Sequence, residues 1–129
     1  MSHSMVPNGI ALTQSEVEAL AYKATKGAGL PWGIAEEAAF MASWFHNKGV
    51  DILTPLATHL DQIKGHAWAD LIDPSGQVSA LCFGPSLGEM LGSCQSYDLG
   101  KMRDPVFLLP FVDACATVVG RGFSVTVDN

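Results

Sequence analysis

The most pointed chemical pattern in the sequence is Gly84-Pro85-Ser86-Leu87-Gly88, a G-x-S-x-G. Where such a run joins a strand to a helix in serine hydrolases, a sharp turn thrusts the serine out beside backbone amides that hold an oxyanion. That chemistry also needs an acid and then a histidine after the serine, and the last histidine of this chain is His66. His46, His59 and His66 all precede Ser86, and no spacing leads from them to it. Ser86-Leu87-Gly88-Glu89 equally has the form of a capping box, in which serine and glutamate satisfy orphan amides at a helix start. The cap is the preferred reading, and no catalytic residue is assigned.

A second candidate is the glycine-rich stretch from Lys26 to Gly33 with the two glutamates that follow it. It joins helix to helix, so it is no dinucleotide fingerprint, and no lysine followed by serine or threonine closes it as a phosphate loop. Backbone amides at a helix N-terminus can still hold an anion, with Lys26 assisting. Glu36 or Glu37 could act as acid or base if it faced a pocket. As helical neighbours they point about 100° apart and cannot work as facing carboxylates. The candidate ligand-binding set is therefore Lys26, Gly27, Gly29, Trp32, Gly33, Glu36 and Glu37. The competing, preferred reading is a tight interhelical turn that needs positive φ, with Trp32 plugging the core.

A metal would have to draw on His46, His59, His66, Asp70 and the cysteines. None of these shows an i, i+4 histidine pair or a C-x-x-C spacing. No metal and no cofactor is expected, and each histidine is read as a surface or boundary residue. Phe40, Trp44 and Phe45 form core or a subunit contact in preference to a cofactor stack. Asp70 and Asp73 face solvent or shape a turn.

The elements that must position these residues follow from caps and periodicity. Thr13 and Glu16 make a capping box for a helix over 14–26, with Val17, Leu20, Ala21 and Ala24 as its inward row. Pro31 opens a second helix, which carries Ile34, Ala38, Met41 and Phe45 inward and ends at Lys48-Gly49. Thr54-Pro55 starts a third, running to about Lys64, with Leu56, Leu60 and Ile63 buried. Alternation then predicts strands over 67–73 and 77–83 around a Pro74-Ser75-Gly76 turn. A short helix is expected from Ser86 to near Gly92 and a strand over 95–102. A helix from Asp104-Pro105 to Gly120 must kink or restart at Pro110. Phe123, Val125 and Val127 alternate with polar residues as a final strand, which must pair backward or with another copy.

Helices first and a sheet afterwards define an α+β class: an N-terminal helical hairpin plus a third helix, followed by a small mixed β-sheet with two further helices. Residues 1–11 read as a mobile lead-in and 12–129 as a single domain. The chain has 129 residues, 48% of them hydrophobic and only 16% charged, which excludes a disordered chain. Scaling rules bury about two-thirds of the unfolded surface at this length, enough for a core without staples. The net charge of −6 and the lack of a basic tract argue against nucleic acid. The longest apolar run, residues 106–112, is too short to span a membrane. The start of the chain lacks a basic segment followed by an apolar one, so no secretion signal is read. Three cysteines, Cys82, Cys94 and Cys115, are an odd number without a close pair, which suits reduced thiols and a cytoplasmic location.

Several blocks taken together carry a family resemblance: Ser15-Glu16-Val17-Glu18-Ala19-Leu20-Ala21, Ala24, Lys26-Gly27-Ala28-Gly29, Trp32-Gly33 and Ala35-Glu36-Glu37-Ala38. They resemble a bacterial, largely proteobacterial, family known as a domain of unknown function. Leu81-Cys82-Phe83 leading into Gly88, and Asp104-Pro105 through Leu109-Pro110-Phe111 to Gly120, extend the likeness over most of the chain. Members of that family usually continue past this C-terminus, which implies a short member or a fragment. The resemblance implies no catalytic residues. A thinner similarity links the first two helices to the malate/lactate dehydrogenase-like oxidoreductases. Their histidine-glycine signature has no match, since Asn47-Lys48-Gly49-Val50-Asp51 stands in its place.

The expectation for function is a non-catalytic binding or accessory module that self-associates, because few charges leave apolar surface for a partner protein or a second copy to cover. The alternative is a small-molecule metabolic enzyme, with its ligand held at the 27–37 turn in a pocket lined by Trp32.

Overall fold

The computed structural model describes residues 4–5, 11–73, 76–88, 98–120 and 122–127. The fold class is α+β with helices predominant. The chain forms two compact units, Met1–Gly65 and His66–Asn129.

In the first unit, β1 (Ser4–Met5) pairs antiparallel with β2 (Ala11–Leu12), so the stretch read as a lead-in contains a two-residue ladder. The helix α1 (Gln14–Gly27) starts at the capping box as read. The Glu16 amide donates to Thr13 Oγ1 at 3.2 Å, and the Thr13 amide donates to Glu16 Oε1 at 3.0 Å. Its inward row is Val17, Ala21 and Thr25, whereas Leu20 and Ala24, predicted inward, are exposed. The buried row thus takes every fourth residue only, a narrower stripe than the spacing suggests. Thr25 tolerates full burial because its hydroxyl donates to the Ala21 carbonyl at 2.8 Å.

At the end of α1, the Leu30 amide donates to the Thr25 carbonyl and the Gly29 amide to that of Lys26. With Gly29 at φ 89°, this is a Schellman closure, whose left-handed position favours glycine. Pro31 stands just outside α2 (Trp32–His46) as its N-cap. That helix ends in a second closure of the same kind: Val50 donates to Phe45, Gly49 donates to His46, and Gly49 has φ 74°. Gln14 Nε2 donates to Ser43 Oγ at 2.7 Å, joining the start of α1 to the end of α2 and making the pair antiparallel. Ala21, Ala35, Ala38 and Ala42 are fully buried, which lets small side chains bring backbones close.

The third helix, α3 (Leu53–Ile63), packs on α1 and buries Leu56, His59, Leu60 and Ile63. Thr54 was expected to cap it. Instead Asp51 does so, its Oδ1 accepting from the Leu53 amide at 3.0 Å and its Oδ2 from the Thr54 hydroxyl at 3.4 Å. Asp51 lies three residues before Thr54, so the helix begins earlier than predicted and the threonine falls within its first turn.

The second unit departs further from expectation. The strand predicted over 67–73 is a single helical turn, α4 (Trp68–Leu71), in which Leu71 alone is buried. The strand predicted over 77–83 is β3 (Val78–Ser79) and then turns helical as α5 (Ala80–Phe83). Ser79 is the reason for the switch, because its side chain accepts the Cys82 amide at 3.2 Å and caps α5. The partner of β3 is β4 (Met102–Arg103), running parallel, with Val78 opposite Met102 and Ser79 opposite Arg103. The predicted hairpin between 67–73 and 77–83 is therefore absent among the described residues. The expected turn at Pro74-Ser75, most of the short helix to Gly92, the start of the strand over 95–102, and Cys94 lie outside the described residues.

Pro105–Leu108 is a 3-10 turn that becomes α6 (Leu109–Val119), so the chain does restart its helix at Pro110. Gly120, at φ 78°, closes α6 by donating to the Ala116 carbonyl. Residues 123–127, predicted within the final strand, pair with no other strand among the described residues. Phe107, Leu108, Pro110 and Phe111 are buried, as are Val78, Ala80, Leu81, Cys82 and Phe83. The buried Gly84 belongs to this packing, because a Cβ placed on it would stand 2.3 Å from Cδ2 of Phe111.

Candidate functional site

The turn between α1 and α2 gathers the seven candidate ligand-binding residues over a short span of chain. Lys26 and Gly27 occupy the last turn of α1 and are exposed. Gly29 spends its left-handed conformation on the Schellman closure, and its amide, like that of Leu30, points back at α1 carbonyls. Those two amides are therefore committed to capping and do not face an anion. Trp32 and Gly33 begin α2, whose first turn is closed by the Ile34 and Ala35 amides donating to the Pro31 carbonyl.

Trp32 does not plug the core: it is 62% exposed. The apolar plug of the turn is Leu30, buried in the Schellman position where a hydrophobic residue commonly packs back on the helix. Glu36 is exposed and Glu37 half-buried. Burial pushes the Glu37 carboxyl up, and the neighbouring Glu36 charge adds to the effect. The turn thus presents one aromatic ring, one lysine and one carboxyl that holds its proton more readily than usual.

The serine motif sits in a different setting from a nucleophile elbow. Gly84–Ser86 is a 3-10 turn that continues α5 directly into helical Leu87 and Gly88. It is α5 that leads into the turn, and Ser86 stands just before helical Leu87 and Gly88. Ser79 caps α5, its side chain accepting the Cys82 amide. Glu89, the expected partner of Ser86, lies outside the described residues.

His46 and His59 were expected at the surface or boundary, yet they are only 1% and 0% exposed. Both sit on the inward rows of their helices, where the spacing from Ala42 and from Leu56 and Ile63 could have flagged them. His66 is exposed, and so is Asp70. Among the described residues, no three of His, Cys, Asp and Glu stand together as a metal site would require. Cys82 and Cys115 are free thiols, and burial raises both above the ordinary thiol value. Raised thiols stay protonated and react slowly.

A surface feature that spacing alone reveals runs along α2. Trp32, Glu36, Phe40 and Trp44 recur every fourth residue, so they form one ridge of the helix. Phe40 is 41% exposed and Trp44 is partly exposed, while their neighbour Phe45 is buried. Trp44 meets Phe45 edge-on, with centroids 5.0 Å apart. Lys48 follows the helix and lays its ammonium 4.5 Å from the Trp44 ring centroid. The three aromatics thus divide between core and surface.

The chain belongs to the family described as Protein of unknown function (DUF3726), whose model matches residues 12–82, more than half of the sequence. The match takes in the α1–α2 block on which the family resemblance rests. Neither the curated proteins nor the solved structures contain a match to the chain. Among the described residues, no helix is long and apolar enough to cross a membrane.

Proposed function

We propose that this chain is a non-catalytic binding or accessory module that associates with itself and works in the cytoplasm. The observation that carries this reading is the large apolar surface presented by an already weakly charged chain. Trp32 and Phe40 stand out from α2, and Val118, Val119, Val125 and Val127 are exposed toward the end of the chain. Large exposed apolar side chains recurring along one helix mark surfaces that other molecules cover. The free, sluggish thiols Cys82 and Cys115 fit a reducing compartment. Sedimentation velocity over a concentration series from low micromolar to near millimolar tests the central claim. A weight-average mass rising toward a multiple of 13.7 kDa is expected, and a constant monomer mass sinks it.

A second reading, a small-molecule enzyme or ligand binder at the 27–37 turn, is favoured by Glu37. A half-buried carboxyl with a raised pKa is a feature found at functional sites. A thermal-shift screen of metabolites tests it. A compound that raises the melting temperature of the wild type, but not of Trp32→Ala, would support this reading over the first.

A further inference from the structure

Resting on the self-association reading, we propose that the outer ridge of α2 is the contact face for a second copy of this chain, with the two α2 helices crossing antiparallel about a twofold axis. The ridge has an apolar centre, Phe40 and Trp44, with one acidic residue before it and one basic residue after it. Lys48 lies beyond the helix proper, but its ammonium rests on the Trp44 ring, which puts the positive charge on the ridge itself.

That order is self-complementary. In the antiparallel register that sets Phe40 of each copy against Trp44 of the other, Glu36 of each copy falls opposite Lys48 of the other. One choice of register therefore satisfies both the aromatic pair and the charge pair, and the twofold axis delivers each contact twice. A parallel pairing in register would instead set Glu36 against Glu36 and Lys48 against Lys48. Ridges of residues four apart pack on one another at about −50°, the commonest crossing between helices, so the row needs no distortion to pair. The other occupants such a face could take fit less well. A chain of net charge −6 repels a phosphate backbone. A helix lying on a membrane carries several lysines or arginines on its polar face, whereas α2 contains none.

The experiment is sedimentation equilibrium on the full chain with charge reversals at both ends of the ridge. Glu36→Lys and Lys48→Glu each replace two attractive contacts by two repulsive ones, so each is expected to weaken dimerisation about thirtyfold at low salt. The double variant Glu36→Lys/Lys48→Glu restores the pairs and is expected within about threefold of wild type, the residue being the altered contact with Trp44. An equimolar mixture of the two single variants should form a heterodimer, because every facing pair is then again of opposite sign. Glu36, Phe40 and Lys48 are exposed, and far-UV circular dichroism checks that the fold is kept. Phe40→Asp should leave only monomer. A dimer indifferent to all of these substitutions overturns the α2 face while leaving self-association standing. Single variants that weaken the dimer with a double variant that stays weak overturn the Glu36–Lys48 register. A wild-type chain that remains monomeric overturns both this proposal and the reading it rests on.

Discussion

At the scale of single residues, Glu37 links protonation to folding with a definite sign. Its folded pKa is raised above the unfolded value, chiefly by burial. Such a group contributes stability that is fully present below the unfolded pKa and is lost as pH rises through the folded one. Near neutrality the half-buried carboxylate is therefore a cost. Glu37→Gln is expected to be more stable than wild type at pH 7, by less than about 1 kcal/mol because solvent screens a partly exposed group. Below the ordinary glutamate range the two proteins should unfold alike. Urea denaturation at both pH values measures this, and a variant less stable than wild type at pH 7 would contradict the burial account. Gly84 is constrained by space and not by backbone angle, since its φ is −48°. Gly84→Ala drives a methyl into the Phe111 ring and should cost about 1–3 kcal/mol, the usual range for overpacking. Pairing it with Phe111→Leu should recover part of that loss, because the two sites share one volume.

At the scale of elements, what could be read from residues depended on how local the deciding interaction was. The capping box of α1 lies within four consecutive residues, and Thr13→Ala should cost about 1 kcal/mol by freeing the Glu16 amide, measurable as a drop in urea midpoint at unchanged slope. The glycine closures at Gly29 and Gly49 and the restart at Pro110 are equally local, and all three are legible. The start of α3 lies earlier than Thr54 suggests, because Asp51, three residues before it, is as good a capping residue and composition does not rank them. The second unit departs from its local pattern for a different reason. From Val78 to Gly84 every side chain is buried, so no polar face exists to set a period of two against one of 3.6. The choice falls to Ser79, whose side chain can support a strand or cap a helix. Residues 67–73 alternate in hydropathy, but a strand needs a neighbour. The neighbour β3 actually takes is β4, more than twenty residues further along, a pairing no local pattern encodes. The candidate turn at 27–37 was legible as a turn, while the outward placement of Trp32 was not. Hydrophobicity alone puts tryptophan inside, and here the smaller Leu30 occupies the buried position of the closure.

At the scale of the whole molecule, the chain divides into units that meet between Gly65 and His66 in sequence. Each is near the size at which a lone core is marginal, since a domain of about 60 residues buries only about 60% of its unfolded surface. The family match ignores that division and runs from residue 12 to residue 82, taking in the helices of the first unit and β3 of the second. We therefore propose that residues 12–129 behave thermodynamically as one domain. Differential scanning calorimetry should then give a single transition whose calorimetric and van't Hoff enthalpies agree. The residue-scale variants sharpen the test, because Gly84→Ala lies in the second unit and Thr13→Ala in the first. If the chain is one domain, each should lower the same transition, by about 4–8 °C per kcal/mol or somewhat less at this length. Helix melting followed by circular dichroism should move with it in both cases. Two resolved transitions, each answering to one substitution and deaf to the other, would instead give each unit its own stability. In that event the α2 ridge would have to be tested on a first unit that stands alone, where an apolar face on a small core is both a larger fraction of its surface and a stronger reason to pair.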